Sequence, residues 1–212
     1  MVQPTERMFA LAERGLPIQH RPGHVTDKVT GAGGPLLVYT DGSVSGRRIA
    51  NGLGWMTGWG YLATSGTFGC GKMPQFLKTG DDPAVVAELR AVWHAIGQRL
   101  ATTPCTVITD STFAIQLLTD WRKGSTDMPP GYTGRTTSGI PKLELLRREV
   151  AAHPDHLTVE HTKGHAGDVL NTAADTLAQL GMRWGRDGLA KPEVLRRARD
   201  IATGFLAQWR RR

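Results

Sequence analysis

Four carboxylates stand where an ordinary soluble domain gains little from charge. Asp41 closes the apolar run Leu36–Thr40 and is followed by Gly42 and Ser43; Asp110 closes the run Thr106–Thr109 and is followed by Ser111. Glu88 lies in a segment where Val85, Leu89, Val92, Ile96 and Leu100 recur at helical spacing. At about 100° per residue it shares a face with Ala84, Ala91 and Ala95, and such small neighbours let a helix bring a carboxylate close to a sheet. Asp175 is flanked by alanines in Asn171-Thr-Ala-Ala-Asp175-Thr-Leu-Ala. Each acid alone reads at least as well as a turn, cap or surface residue. Their combination carries the weight.

Carboxylates clustered without Lys or Arg repel one another and shift their pKa values, and hard cations between them relieve that stress. Mg²⁺ takes oxygen ligands and is commonly held by one or two carboxylates together with waters and a substrate phosphate. Two such ions about 4 Å apart can activate a water and stabilise the leaving oxygen of a phosphodiester. No Gly-rich phosphate loop and no Ser-His-Asp order competes with this chemistry.

The elements that must position these acids follow from periodicity and punctuation. Leu36–Thr40 suits a buried strand, and Gly52–Met56 and Tyr61–Phe68 continue it as an antiparallel meander. Asp82 as N-cap and Pro83 as first residue open a helix. Thr106–Thr109 is a fourth strand, Ser111–Trp121 a helix, residues 124–139 a Gly/Pro-rich loop, Lys142–Ala152 a helix and Leu157–Thr162 a fifth strand. Thr172–Met182 and Glu193–Trp209 complete the helices. The expected fold is α/β, a five-stranded mixed sheet with helices on both faces. Residues 1–34 read as a flexible extension with a short helix near Glu6–Arg14, 35–184 as the catalytic domain and 185–212 as a basic helical extension.

Composition narrows the setting. The chain has 212 residues and a net charge of +7, with nine basic and three acidic residues from Arg183 onward. The basic character therefore belongs to the tail, which points to a polyanion partner or to a solvated helix face. No run of about 18 apolar residues marks a membrane span, and no secretory signal opens the chain. Cys70 and Cys105 form no C-x-x-C pair, which suits a reducing cytoplasm and excludes a disulfide framework. A monomer is the expected state.

Thr40-Asp41-Gly42-Ser43, Ala87-Glu88-Leu89, Thr109-Asp110-Ser111 and Lys163-Gly164-His165-Ala166-Gly167 … Asn171 … Ala174-Asp175 resemble the type 1 ribonuclease H family block by block, in the family's order, from Leu36 to Met182. The resemblance implies a ribonuclease H-like fold and hydrolysis of the RNA strand of RNA–DNA hybrids, leaving 5′-phosphate and 3′-hydroxyl ends. It implies two Mg²⁺ ions, with Mn²⁺ as a substitute, on Asp41, Glu88, Asp110 and Asp175. Asp41 would bridge both ions, and Asp110 would help hold the nucleophilic water. His165 would assist proton transfer or product departure, and Gly42, Ser43, Ser111, Thr112 and Asn171 would contact substrate. Ala84 and Val85 stand where family members often place an Asn that contacts the hybrid, and only Arg122 and Lys123 remain of a basic handle after Trp121. The basic tail is a candidate replacement for that handle. Two other readings stay open: a nuclease of this fold acting on DNA or structured RNA, and a non-catalytic nucleic-acid-binding module, though the latter would be expected to lose carboxylates.

Overall fold

The computed structural model describes residues 23–31, 36–48, 55–73, 82–97, 99–132, 140–163 and 168–211. Six strands form one mixed sheet: β1 (His24–Lys28), β2 (Leu37–Arg48), β3 (Trp55–Ala63), β4 (Thr67–Lys72), β5 (Cys105–Thr109) and β6 (Leu157–His161). Their spatial order is β1-β4-β3-β2-β5-β6. The β1–β4, β4–β3 and β3–β2 pairs are antiparallel, and β2–β5 and β5–β6 are parallel. Five helices are described: α1 (Pro83–Ile96), α2 (Thr112–Arg122), α3 (Lys142–Ala152), α4 (Val169–Asp187) and α5 (Lys191–Trp209).

The sheet is packed on both faces, so its strands send buried apolar residues to either side. Val38, Trp59, Tyr61 and Val107 pack with α1, α2 and α3 on one side. Tyr39, Leu62, Phe68 and Ile108 pack with α4 and α5 on the other. Alternation along β2 and β3 divides these residues between the two cores. Gly58 and Gly60 on β3 are required by α4: a Cβ on either would stand 2.2–2.3 Å from a backbone nitrogen of that helix, Met182 or Ala178.

Two helix starts match their sequence signals. The Asp82 carboxylate accepts from the amides of Ala84 and Val85 at 3.0 and 3.2 Å, and the Ser111 hydroxyl accepts from Ala114 at 3.3 Å. Three expectations need correction. The sheet has six strands, not five, because His24–Lys28 inside the expected leader pairs with β4. Only Val25 of that strand is buried, so no apolar run announces it. The meander turns at Thr64–Gly66, where Gly66 has φ +85°, so no strand runs from Tyr61 through Phe68. The last family helix begins at Val169, not Thr172, because Asp168 caps it by accepting from Leu170 and Asn171. The expected helix near Glu6–Arg14 lies outside the described residues.

The C-terminal helix docks on its own chain. Val194, Ala198, Ala202 and Leu206 are buried against α4, β1 and β4, with Ile201, Phe205 and Trp209 packed beside them. Its arginines are exposed but engaged: Arg196 and Arg197 pair with Glu193, Arg199 pairs with Asp27, and Arg210 donates to the carbonyls of Thr30 and Gly31. No described helix is long and apolar enough to cross a membrane.

Candidate active site

The parallel pairing of β2 with β5 sets Val38 opposite Val107 and Tyr39 opposite Ile108. Asp41 and Asp110 each lie two residues further along, so the same register brings them level at one end of the strand pair. From the α1 side Glu88 reaches the same point. A carboxylate oxygen from each of Asp41, Glu88 and Asp110 lies within 4.8 Å of the other two. Asp41 and Glu88 are buried, 8% and 7% exposed, while Asp110 is half-buried. Asp175 approaches from α4 on the opposite face, close enough for its charge to act on Asp41.

The electrostatics are those of crowded acids. Burial pushes the Asp41 carboxyl up to about 7, and the charges of Asp110 and Asp175 add to the push; hydrogen bonds with Glu88 and with the Gly42 amide oppose it. That amide donates to Asp41 Oδ1 at 2.6 Å. Glu88 is driven well above the ordinary carboxylate range, by burial first and by the Asp41 charge second. Among the described residues no Lys or Arg figures in the groups acting on either carboxyl. Hard oxygen donors under mutual repulsion, some buried and one open, fit a divalent cation of the Mg²⁺ type.

Other residues hold the acids in place. Thr109 Oγ1 donates to Glu88 Oε2 at 3.4 Å and accepts the Ser111 amide at 3.2 Å, tying the end of β5 to α1. Gln179, one turn after Asp175, donates to both of its carboxylate oxygens at 2.9 and 3.1 Å. Asp168 caps α4 next to Tyr39, whose phenol is pushed up to about 12 by burial first and the Asp168 carboxylate second. Sequence reasoning singled out none of the three. The available signals were a Thr directly before Asp110, a Gln four residues after Asp175 and an Asp before an apolar run.

The expected substrate contacts divide. Gly42 and Ser43 follow Asp41 on β2, and the Ser43 hydroxyl donates to the Met182 sulfur at 3.6 Å. Ser111 is the N-cap of α2, and Thr112, its first residue, is exposed. Asn171 is buried in the first turn of α4, and its side-chain oxygen has no hydrogen-bond partner among the described residues. His165 lies outside the described residues.

Among the described residues, carboxylates gathered where β2 and β5 pair on a mixed α/β unit form a site suited to a divalent cation, and comparison with known proteins gives the unit its family. The profile of the RNase H family matches residues 34–183, which includes all four acids. Ribonuclease H of Ruegeria sp. (strain TM1040) is 33% identical over 150 residues, covering 69% of this chain and 90% of that protein. Ribonuclease H of Dinoroseobacter shibae is 33% identical over 159 residues, covering 74% and 96%. The solution structure of the PFV RNase H domain shares 22% identity at a TM-score of 0.49, covering 72% of this chain and 98% of that one. The chain belongs to the ribonuclease H family.

Proposed function

We propose that the protein cuts the RNA strand of RNA–DNA hybrids by divalent-metal-dependent hydrolysis, leaving 5′-phosphate and 3′-hydroxyl ends. The observation that carries this reading is the convergence of Asp41, Glu88 and Asp110 within 4.8 Å, with Asp175 beside them. Asp41, Glu88, Asp110 and Asp175 would hold two Mg²⁺ ions, which when bound supply positive charge against the carboxylates and against charge developing on the scissile phosphate.

The chain's own residues do the rest. Asp41, on which Glu88, Asp110 and Asp175 all act, would hold metal at the centre of the set, and Glu88 fixes its orientation through their hydrogen bond. Asp110, the most open member of the trio, faces the side from which water and substrate arrive. Ser43 on β2 and Asn171 on α4 would contact substrate, and the Asn171 oxygen, without a hydrogen-bond partner among the described residues, is an acceptor suited to a sugar hydroxyl; discrimination through the 2′-hydroxyl is how proteins tell RNA from DNA. His165, in the segment joining β6 to α4, moves a proton during strand departure. The buried thiols of Cys70 and Cys105 suit a reducing cytoplasm, the compartment in which we place the enzyme.

The test is a cleavage assay on end-labelled hybrid, double-stranded RNA and double-stranded DNA, with Mg²⁺, with Mn²⁺ and with chelator, followed by end-group analysis. Metal-dependent cutting of the RNA strand of the hybrid alone, with 5′-phosphate products, supports the reading. Cutting of either homoduplex in preference to the hybrid would assign the site to another nuclease activity.

A further inference from the structure

A second polar site lies on α1 away from the acids. By helical spacing Arg90, Trp93 and His94 sit on the opposite side of the helix from Glu88. His24, Tyr61, Trp93, His94, Arg99 and Lys142 line a cavity of about 350 Å³, and Arg90 lies behind it, its charge acting on His94 and Lys142. Arg90 is 5% exposed, and neither its Nε nor Nε2 of His94 has a hydrogen-bond partner among the described residues. Within that same set no salt bridge joins Arg90, Arg99 or Lys142 to a carboxylate, and the charged groups acting on Lys142 and His94 are all cationic. Cations gathered along and behind the cavity, with no carboxylate paired to them among the described residues, make it a place where an anion is favoured over a cation.

The cavity is also aromatic. His94 stacks on Trp59 at 3.9 Å between ring centroids and 6° between planes, and Lys142 Nζ stands 5.3 Å over the Trp93 ring. The aromatic floor depends on the glycines of β4: a Cβ on Gly69 or Gly71 would meet the Tyr61 or Trp59 ring at 2.6 Å. Burial, then the charges of Arg90, His24 and Lys142, push the His94 imidazole down to about 2, a sign of positive potential inside the cavity.

We propose that this cavity is an anion site separate from the carboxylate cluster, taking a phosphate group carried next to a planar base: a nucleotide, free or within a strand. Guanidinium and ammonium groups recognise phosphate, aromatic faces accept bases, and the volume lies in the range of small-molecule pockets, roughly 300–1,000 Å³. His94 is six residues from Glu88, about 9 Å along the helix axis at 1.5 Å per residue. A phosphate at the acids and a nucleotide here therefore occupy different places.

The test is calorimetric titration of the full chain with adenosine 5′-monophosphate, inorganic phosphate and a short 5′-hydroxyl oligonucleotide. Working in EDTA leaves the carboxylate cluster bare, so that it repels anions. Adenosine 5′-monophosphate should bind more tightly than phosphate. The double variant Arg99→Gln/Lys142→Gln, at partly or fully exposed positions that spare the core, should weaken it about tenfold or more, the effect of losing a hydrogen bond to a charged group. Arg196→Gln/Arg197→Gln removes the same charge on α5 and should leave affinity unchanged. Displacement by the oligonucleotide would identify a strand as the occupant, and its absence a free nucleotide; both support the site. Equal weakening by the two double variants, or no binding of adenosine 5′-monophosphate at millimolar concentration, would overturn it.

Discussion

A Cβ on Gly42 would stand 2.6 Å from the backbone nitrogen of Glu88. Strand β2 and helix α1 therefore meet backbone to backbone beside the place where the Asp41 and Glu88 carboxyls come together. The closeness of the two acids is set by the missing side chain between them as much as by the acids themselves. Gly42→Ala should force α1 outward, since overpacking of this kind costs about 1–3 kcal/mol. A lowered Tm should accompany a fall in kcat larger than any rise in KM for hybrid. Unchanged Tm and kcat would show that the helix has room to yield.

The metal-free protein should respond to pH in an unusual direction. The folded state raises the Asp41 carboxyl from the ordinary value near 3.8 to about 7, and raises Glu88 as well. A group that holds its proton more tightly when folded stabilises the fold at low pH, and that stability fades as pH rises through the folded pKa. In EDTA, stability should fall between about pH 4 and pH 7 by on the order of 1–3 kcal/mol. Asp41→Asn should flatten the decline, and Mg²⁺ should reverse it by binding the ionised form. The check is a set of thermal melts across that pH range; a wild-type profile already flat without metal would show the acids to be relaxed.

His165→Ala should slow turnover without abolishing it. General acid–base assistance is worth about 10²–10⁴-fold, and the carboxylates proposed to hold metal stay in place. Titration of Mg²⁺ dependence separates assistant from ligand: if the metal concentration needed for half-maximal rate rose steeply, His165 would have to be counted among the ligands.

The C-terminal helix is held by its apolar face. Leu206 is 1% exposed, whereas the Arg199 and Asp27 side chains that pair across to β1 are 54% and 30% exposed. Leu206→Ala should cost about 2–5 kcal/mol, and Arg199→Ala less than about 1 kcal/mol, the usual worth of an exposed pair. Denaturant titration compares them directly, and the reverse order would mean that the helix is clamped by charge. If Arg210, Arg211 and Arg212 also touch substrate, changing them to Ser should make the log–log salt dependence of hybrid binding shallower by about one for each phosphate that is no longer neutralised.

Legibility follows local chemistry. Asp82-Pro83 and Ser111 announce helix starts because capping acts within three residues. Asp41 and Asp110 are visible because apolar runs stop there: β5 ends at Thr109, while β2 continues past Asp41 to Arg48 through the polar stretch Gly42–Arg48, which no apolar run marks. β1 is hidden because an edge strand with one buried residue, Val25, leaves no periodic trace. The border between β3 and β4 is obscured because Gly58, Gly60, Gly69 and Gly71 read as turn residues, although they sit in strands to admit α4 and the Trp59 and Tyr61 rings. All four acids stand out by their motifs, but the approach of Glu88 and Asp175 from opposite faces depends on helix packing across the sheet. The cationic cavity is invisible in the sequence for the same reason: Arg90 and His94 share a helix, while Lys142 and His24 come from distant elements.

The central claim is that the carboxylate cluster is the catalytic centre of a hybrid-specific nuclease. Asp110→Asn tests it most directly, because the change removes a charge and keeps the shape. The measurement is the single-turnover rate on an RNA–DNA hybrid in Mg²⁺, alongside a melt of each protein. The variant should fold, melt at or above the wild-type temperature without metal because one repelling charge is gone, and show no detectable cleavage where the wild type cuts the RNA strand. A folded Asp110→Asn protein that cuts the hybrid at near wild-type rate would contradict the account.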